Sequence, residues 1–232
     1  MTFSLIGRCA RTGAVGIAST TGGIAVGARV GFLAHGIGAF LTQHRTDPRL
    51  GPRGIALLAD GATAAQAVAG VVASIPPEHA AWRQLGAMDA TGMTAFFHGA
   101  SVKPASGAVQ GQDCLALGNV LASAAVLDAM VGAFALPGPL AERLLAGLEA
   151  GLAAGGEGGK LVSACLKVAE EPGFARIDLR IDRDPAPLAA LRALYEAYAP
   201  HAAEYARRAL DPARASGAAA ETAMKAALNP GG

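Results

Sequence analysis

Thr2 stands directly behind Met1. A small residue at this position normally permits removal of the initiator methionine, which would leave Thr2 with a free α-amine beside its own hydroxyl. An α-amine has a pKa of about 7.7–8.0, close to working pH, and can act as a base toward a neighbouring hydroxyl. A threonine activated in this way is a nucleophile for carbonyl carbon. The tetrahedral oxyanion that follows needs hydrogen-bond donors aimed at it. Asn119, after Gly118 at the end of a predicted strand, is the leading candidate, with an adjacent backbone N–H as second donor; a turn asparagine at a strand end reads equally well. Ser19 and Thr42 fall on neighbouring predicted strands and could hydrogen-bond Thr2 or its amine within the substrate site, and Gln43, Arg83 and Gln84 could bind substrate. Glu157 lies in Gly155-Gly156-Glu157-Gly158-Gly159, where bare backbone can approach a ligand closely. Each of these also reads as an ordinary strand, turn or solvated-loop residue.

Other chemistries lose their basis. The chain has no phosphate-cradling G-x-x-x-x-G-K-[ST], no G-x-S-x-G, no H-E-x-x-H and no dinucleotide glycine fingerprint. His35, His44, His79, His98 and His201 lack metal-ligand spacing, so neither a metal nor a cofactor is expected. Cys9, Cys114 and Cys165 are an odd, widely spaced set that reads as reduced buried thiols. A nucleophilic role for Cys9 or Cys114 is a distant alternative, because neither has a base near it in sequence. The 19 basic and 18 acidic residues leave a formal charge of +1, and the one close basic cluster is Arg45, Arg49 and Arg53, too local to track a phosphate backbone. No nucleic-acid partner is expected. No run of about 20 strongly apolar residues supports a membrane span, and the start lacks a basic segment followed by an apolar one, so the cytoplasm is the expected compartment.

These residues need a frame to hold them. The chain is 52% hydrophobic and 16% charged, ample for a core, while 31 glycines and only 5% aromatics imply close backbone packing. Residues 2–8 and 14–20 read as a hairpin, with further short strands at 24–30 and 36–43. Helical spacing takes over at 48–59 and 63–74, with Asp47 and Thr63 as candidate N-caps. Pro76-Pro77 breaks the chain. Strands at 83–89, 93–98 and 113–119 come next, then helices at 123–136 and 139–153. The second of these carries Leu140, Leu144, Leu145, Leu148 and Leu152 in one apolar stripe. Strands at 160–168 and 176–182 precede a helix over 187–208. Runs of strands followed by runs of helices predict an α+β fold with helices covering sheets. One domain over 1–208 is expected, with an Ala-rich tail over 209–232 that forms a fraying helix.

The order Thr2-Phe3-Ser4, Thr12-Gly13, Val15-Gly16, Ala25-Val26-Gly27, Thr42-Gln43, Pro48, Leu50-Gly51, Gly54, Arg83-Gln84-Leu85-Gly86, Asp89, Gly92, Gly118-Asn119, Leu121, Ala129-Met130, Glu142-Arg143-Leu144-Leu145, Ala154-Gly155-Gly156-Glu157, Ser163-Ala164, Asp178-Leu179-Arg180 and Asp182 resembles the bacterial N-terminal-nucleophile hydrolase-like family catalogued as domain of unknown function 1028. The likeness runs from about Thr2 to Tyr198. It implies a four-layer αββα sandwich of two antiparallel sheets, with the first residue of the first strand as nucleophile, its amine as base, and usually an amide as the bond attacked. Thr2 occupies that position. Three positions depart from the family pattern. Glu157-Gly158-Gly159-Lys160-Leu161-Val162-Ser163 replaces a frequent Asp-x-Arg-Gly-x-Gln-Ser, Cys9 replaces an acidic residue, and Leu117 replaces a Gln.

Two functions are therefore expected as alternatives. One is an amidohydrolase cleaving a small amide with Thr2; the other is a non-catalytic small-molecule-binding or assembly module on the same fold. Either would act on a small molecule, and a homodimer or higher homo-oligomer is expected for so apolar a sandwich.

Overall fold

In the computed structural model, residues 2–228 are described. The opening alternation forms the expected antiparallel pair, β1 (Thr2–Arg8) and β2 (Val15–Thr21). Then come β3 (Gly31–Ala34), β4 (Gly38–His44), α1 (Leu50–Ala59), α2 (Ala64–Ala73), the single turn α3 (Pro77–Ala80), β5 (Arg83–Asp89), β6 (Thr94–His98), β7 (Gly107–Gly111) and β8 (Cys114–Asn119). The chain continues with α4 (Ala125–Phe134), α5 (Leu140–Ala153), β9 (Ser163–Ala169), β10 (Ile177–Ile181), α6 (Pro187–Leu210) and α7 (Ala218–Leu228).

The strands form two antiparallel sheets, six-stranded in the order β10-β9-β2-β1-β8-β7 and four-stranded in the order β3-β4-β5-β6. Helices α4 and α5 cover the first, α1 and α2 cover the second, and the bare faces of the sheets meet. The result is four layers, α+β in class, with the period-2 pattern of each strand deciding what goes where. Phe3 and Leu5 of β1 point to α5, where the glycines Gly147 and Gly151 leave them room. Ile6, Ile17, Leu41, Met88, Leu115 and Leu117 fill the space between the sheets. Phe40, Leu50, Val68, Val71 and Leu85 fill the space beneath α1 and α2.

Local signals account for several boundaries. Thr63 is the N-cap of α2, as expected, and the structure adds a capping box with Gln66. The N-cap of α1 is Arg49 and not the expected Asp47; Asp47 stands two residues earlier, its Oδ1 accepting the Arg49 N–H at 3.1 Å and its carbonyl the Leu50 N–H at 3.1 Å. The apolar stripe of α5 is buried except at its end, where Leu152 is 45% exposed.

Other expectations are corrected. The strand expected at 24–30 is a 3-10 turn over Val26–Ala28, because the Ala25 N–H goes to the Asp182 carbonyl and the Val26 N–H to Ser163 Oγ, leaving no ladder to join. Strand β9 begins at Ser163 rather than at 160. Strand β7 escaped detection because glycines bound it and no alternation marks it.

The chain divides into two compact units, one ending at Leu191 and one beginning at Arg192, with α6 running through the division. In the second unit the Tyr198 and Tyr205 rings lie 5.6 Å apart, and Glu204 pairs with Arg207 at 2.9 Å and Arg208 at 3.4 Å. The expected tail holds a 3-10 turn at Pro212–Arg214 and α7, and its last residues, 229–232, lie outside the described range. No described helix is long and apolar enough to cross a membrane.

Candidate functional site

Chemistry-bearing side chains gather at one end of the first unit. There β1 and β9 begin and β2 and β8 end, so Thr2 lies opposite Asn119 and Thr21 opposite Ser163. In the facing sheet, Gln43 of β4, Gln84 of β5 and His98 of β6 lie side by side. Thr2 is only 6% exposed, and its Oγ1 lies 3.2 Å from Thr21 Oγ1. Met1, whose removal the sequence reading requires, lies outside the described residues.

A chain of amides connects the two sheets. Ser4 Oγ donates to Gln43 Oε1 at 2.8 Å, and Gln43 Nε2 donates to Gln84 Oε1 at 2.7 Å and to the Leu117 carbonyl at 3.3 Å. Asn119 Nδ2 donates to the same Gln84 Oε1 at 2.8 Å. Gln84 Nε2 donates to the Gly118 carbonyl at 2.7 Å and faces His98 Nε2 at 2.8 Å. With Gln84 as donor, His98 Nε2 must accept, so the imidazole is neutral with its proton on Nδ1. Burial lowers the His98 pKa and favours the same neutral form. Asn119 Oδ1 is buried and has no hydrogen-bond partner. The Asn119 side chain is thereby held by Gln84 in register with Thr2.

The predicted site residues separate along the strand alternation. Thr2, Ser4, Ser19, Gln43, Gln84 and Asn119 share the space between the sheets. Ser19 lies opposite Ser4 with its Oγ buried and unpartnered, and the contact with the Thr2 hydroxyl is made by Thr21 instead. Thr42 and Arg83 lie on the other face of their sheet. Thr42 Oγ1 reaches the Asp47 carbonyl at 3.4 Å, and Arg83 donates to the Arg45 carbonyl and lies 3.9 Å from Asp47. Asp47 is held down to about 2, first by its hydrogen bond from the Arg49 side chain. Thr42 and Arg83 therefore serve the loop before α1 and do not reach Thr2.

Glu157 is brought in from the turn after α5. Gly155 and Gly156, at φ 117 and φ 60, reverse the chain there, a conformation that side-chain-bearing residues resist. Residues 156–158 then pair with the chain beyond β8. Glu157 bridges Leu121, the Ala122 N–H goes to the Gly156 carbonyl at 2.9 Å, and the Gly158 N–H goes to the Val120 carbonyl at 3.0 Å. Because Thr2 sits opposite Asn119, Glu157 occupies the sheet position that would continue β1 upstream of Thr2. It is 5% exposed, and neither carboxylate oxygen meets a hydrogen-bond partner. Burial pushes its carboxyl up to about 7, opposed by the charge of the chain's N-terminus and, least, by the Gly22 backbone.

Glu157 lines a cleft of about 820 Å³ together with Leu152, Lys160, Leu161, Arg183 and Leu188. Val162, also in its wall, donates its N–H to the Thr21 carbonyl at 2.9 Å, so the cleft wall is bonded to the residue that holds the Thr2 hydroxyl.

Cysteine chemistry has no footing at this end. Cys9 follows β1 at its opposite end, and burial pushes the Cys114 and Cys165 thiols up to about 11. Among the described residues, no group of three His, Cys, Asp or Glu is placed to hold a metal ion. Sequence reading missed Ser4, Thr21 and His98. Ser4 and Thr21 were within reach, since period-2 alternation puts Ser4 on the face of Thr2 and Thr21 on that of Ser19. His98 could be found only from the register of β5 with β6.

The family model described as a family of unknown function, DUF1028, matches residues 2–191, the span of the first compact unit. Among solved structures, the crystal structure of protein SPO2555 from Silicibacter pomeroyi, a DUF1028 protein, is similar to this chain at 33% identity. Its TM-score is 0.77, over 85% of this chain and 88% of that one. No curated protein matches the chain.

Proposed function

Since the chain belongs to the DUF1028 family, a family of unknown function, we propose its reaction from the geometry of its own residues: hydrolysis of a small amide with Thr2 as N-terminal nucleophile. The observation that carries this reading is the buried Thr2 hydroxyl at the head of β1, oriented by Thr21 and set opposite an Asn119 that Gln84 clamps. Once the mature chain begins at Thr2, its neutral α-amine takes the hydroxyl proton as Oγ1 attacks the amide carbonyl. The oxyanion is met by the second N–H of Asn119 Nδ2 and a neighbouring backbone N–H. Collapse expels the amine leaving group, protonated by the same α-amine, and leaves an ester on Thr2. Water, deprotonated by the α-amine, then cleaves that ester and releases the acid. The same proposal has the cytoplasm as compartment and a homodimer or higher homo-oligomer as working form.

A second reading, a binding module without turnover, draws support from one feature. The Asn119 amide already spends a hydrogen on Gln84, and the atom it leaves unpartnered is the acceptor Oδ1. The two readings separate on protein whose N-terminus is confirmed as Thr2 by intact mass. Thr2→Ser should hydrolyse small amides within about 10-fold of the parent, and Thr2→Ala should lose more than about 1,000-fold with its melting temperature unchanged. Turnover retained in a folded Thr2→Ala variant would overturn the hydrolase reading.

A further inference from the structure

The cleft that Glu157 lines combines an apolar wall with a single buried acid. Leu152, Leu161 and Leu188 supply the wall, and Gly155 and Gly159 add no side chains to obstruct it. The other charged lining groups are accounted for without a ligand. Lys160 and Arg183 are exposed to water, and Asp184 Oδ1 accepts the Ala186 N–H at 2.7 Å. Glu157 is different, because both of its oxygens are buried and neither is hydrogen-bonded. A carboxylate in that state is costly unless a cation or a strong donor meets it. Its backbone is pinned by the bridge to Leu121, and the charge of the chain's N-terminus acts on it through space without supplying a hydrogen bond. A nitrogen cation brought into the cleft would satisfy the carboxylate with charge-assisted hydrogen bonds.

Resting on the hydrolase reading above, we infer that the substrate is an amide with an apolar body and a cationic amine, received in this cleft with the amine on Glu157 and the amide carbonyl toward Thr2. The sheet position of Glu157, in line with β1 and upstream of Thr2, sets amine and carbonyl at opposite ends of one short chain.

The test uses the full-length Thr2→Ala variant, which removes turnover from the measurement, and two amides of equal length, 6-aminohexanamide and hexanamide. Isothermal titration calorimetry at pH 8 is expected to show 6-aminohexanamide binding roughly 10-fold or more tightly than hexanamide. Adding Glu157→Gln should shrink that preference to within about 2-fold while leaving hexanamide unaffected, with an unchanged circular-dichroism spectrum as the check on folding. Equal affinity for both amides, no binding of either, or a preference that survives Glu157→Gln would each overturn the inference. The preference together with no hydrolysis of 6-aminohexanamide by the parent protein would instead overturn the hydrolase reading and leave the cleft's cation selectivity standing.

Discussion

Gln84 shows how a residue of no special type becomes the hub of a site. Its carbonyl oxygen takes hydrogens from Gln43 and Asn119, and its amide nitrogen gives them to Gly118 and His98, so all of its hydrogen-bonding capacity is spent at zero exposure. Such a network fixes the Asn119 rotamer and gives the Thr2 end of the sandwich a preset geometry. Glu157 is its opposite, a buried acid with nothing to bond. Its folded-state pKa of about 7 lies above the ordinary 4.5, so the folded protein holds this proton more tightly than the unfolded chain does. The contribution is fully favourable only below about 4.5 and turns into a cost as pH rises through 7. Glu157→Gln removes that dependence. The variant is expected to gain on the order of 2–3 kcal/mol over the parent between pH 5 and pH 8. Urea unfolding at the two pH values checks it, and a parent–variant difference that does not grow with pH would contradict the buried-acid assignment.

At the scale of elements, glycines decide how closely helices lie on sheets. In α1, a Cβ on Gly54 would fall 2.2 Å from the Phe40 ring, which is fully buried and cannot yield. In α4, a Cβ on Gly132 would meet nothing within 4 Å. The two sites therefore respond to the same substitution with opposite signs. Gly54→Ala is expected to destabilise by about 1–3 kcal/mol through overpacking, despite the better helix propensity of alanine. Gly132→Ala is expected to stabilise by up to about 1 kcal/mol from propensity alone. Thermal unfolding of the pair reads both. Strand character at β1 and β2 was legible from apolar, partly β-branched runs, and α2 from helical spacing behind its N-cap candidate Thr63. Strand β7 and the 3-10 turn at Val26–Ala28 were not, because their backbone bonds are settled by partners distant in sequence, β8 for one and Ser163 and Asp182 for the other.

For the whole molecule, the family match and the first compact unit end at the same residue, Leu191, so the sandwich and its site belong to one folding unit. Beyond Leu210 no side chain given a burial class is buried. A chain ending at Leu210 is accordingly expected to melt within about 2 °C of the full-length protein, since exposed segments carry little stability. Calorimetry on the two chains tests it, and a larger loss would assign the last helix a structural role.

The amino-acid sequence by itself determined the α+β class, the position of most strands and helices, and the place of Thr2 at the head of the first strand, because periodicity, caps and chain position are local properties. Only the tertiary structure decided that Gln43, Gln84, Asn119, Thr21 and Glu157 converge near Thr2 while Thr42 and Arg83 face away. Strand register and the meeting of two sheets bring together residues far apart in sequence, and a one-residue shift in either would have exchanged the two sets.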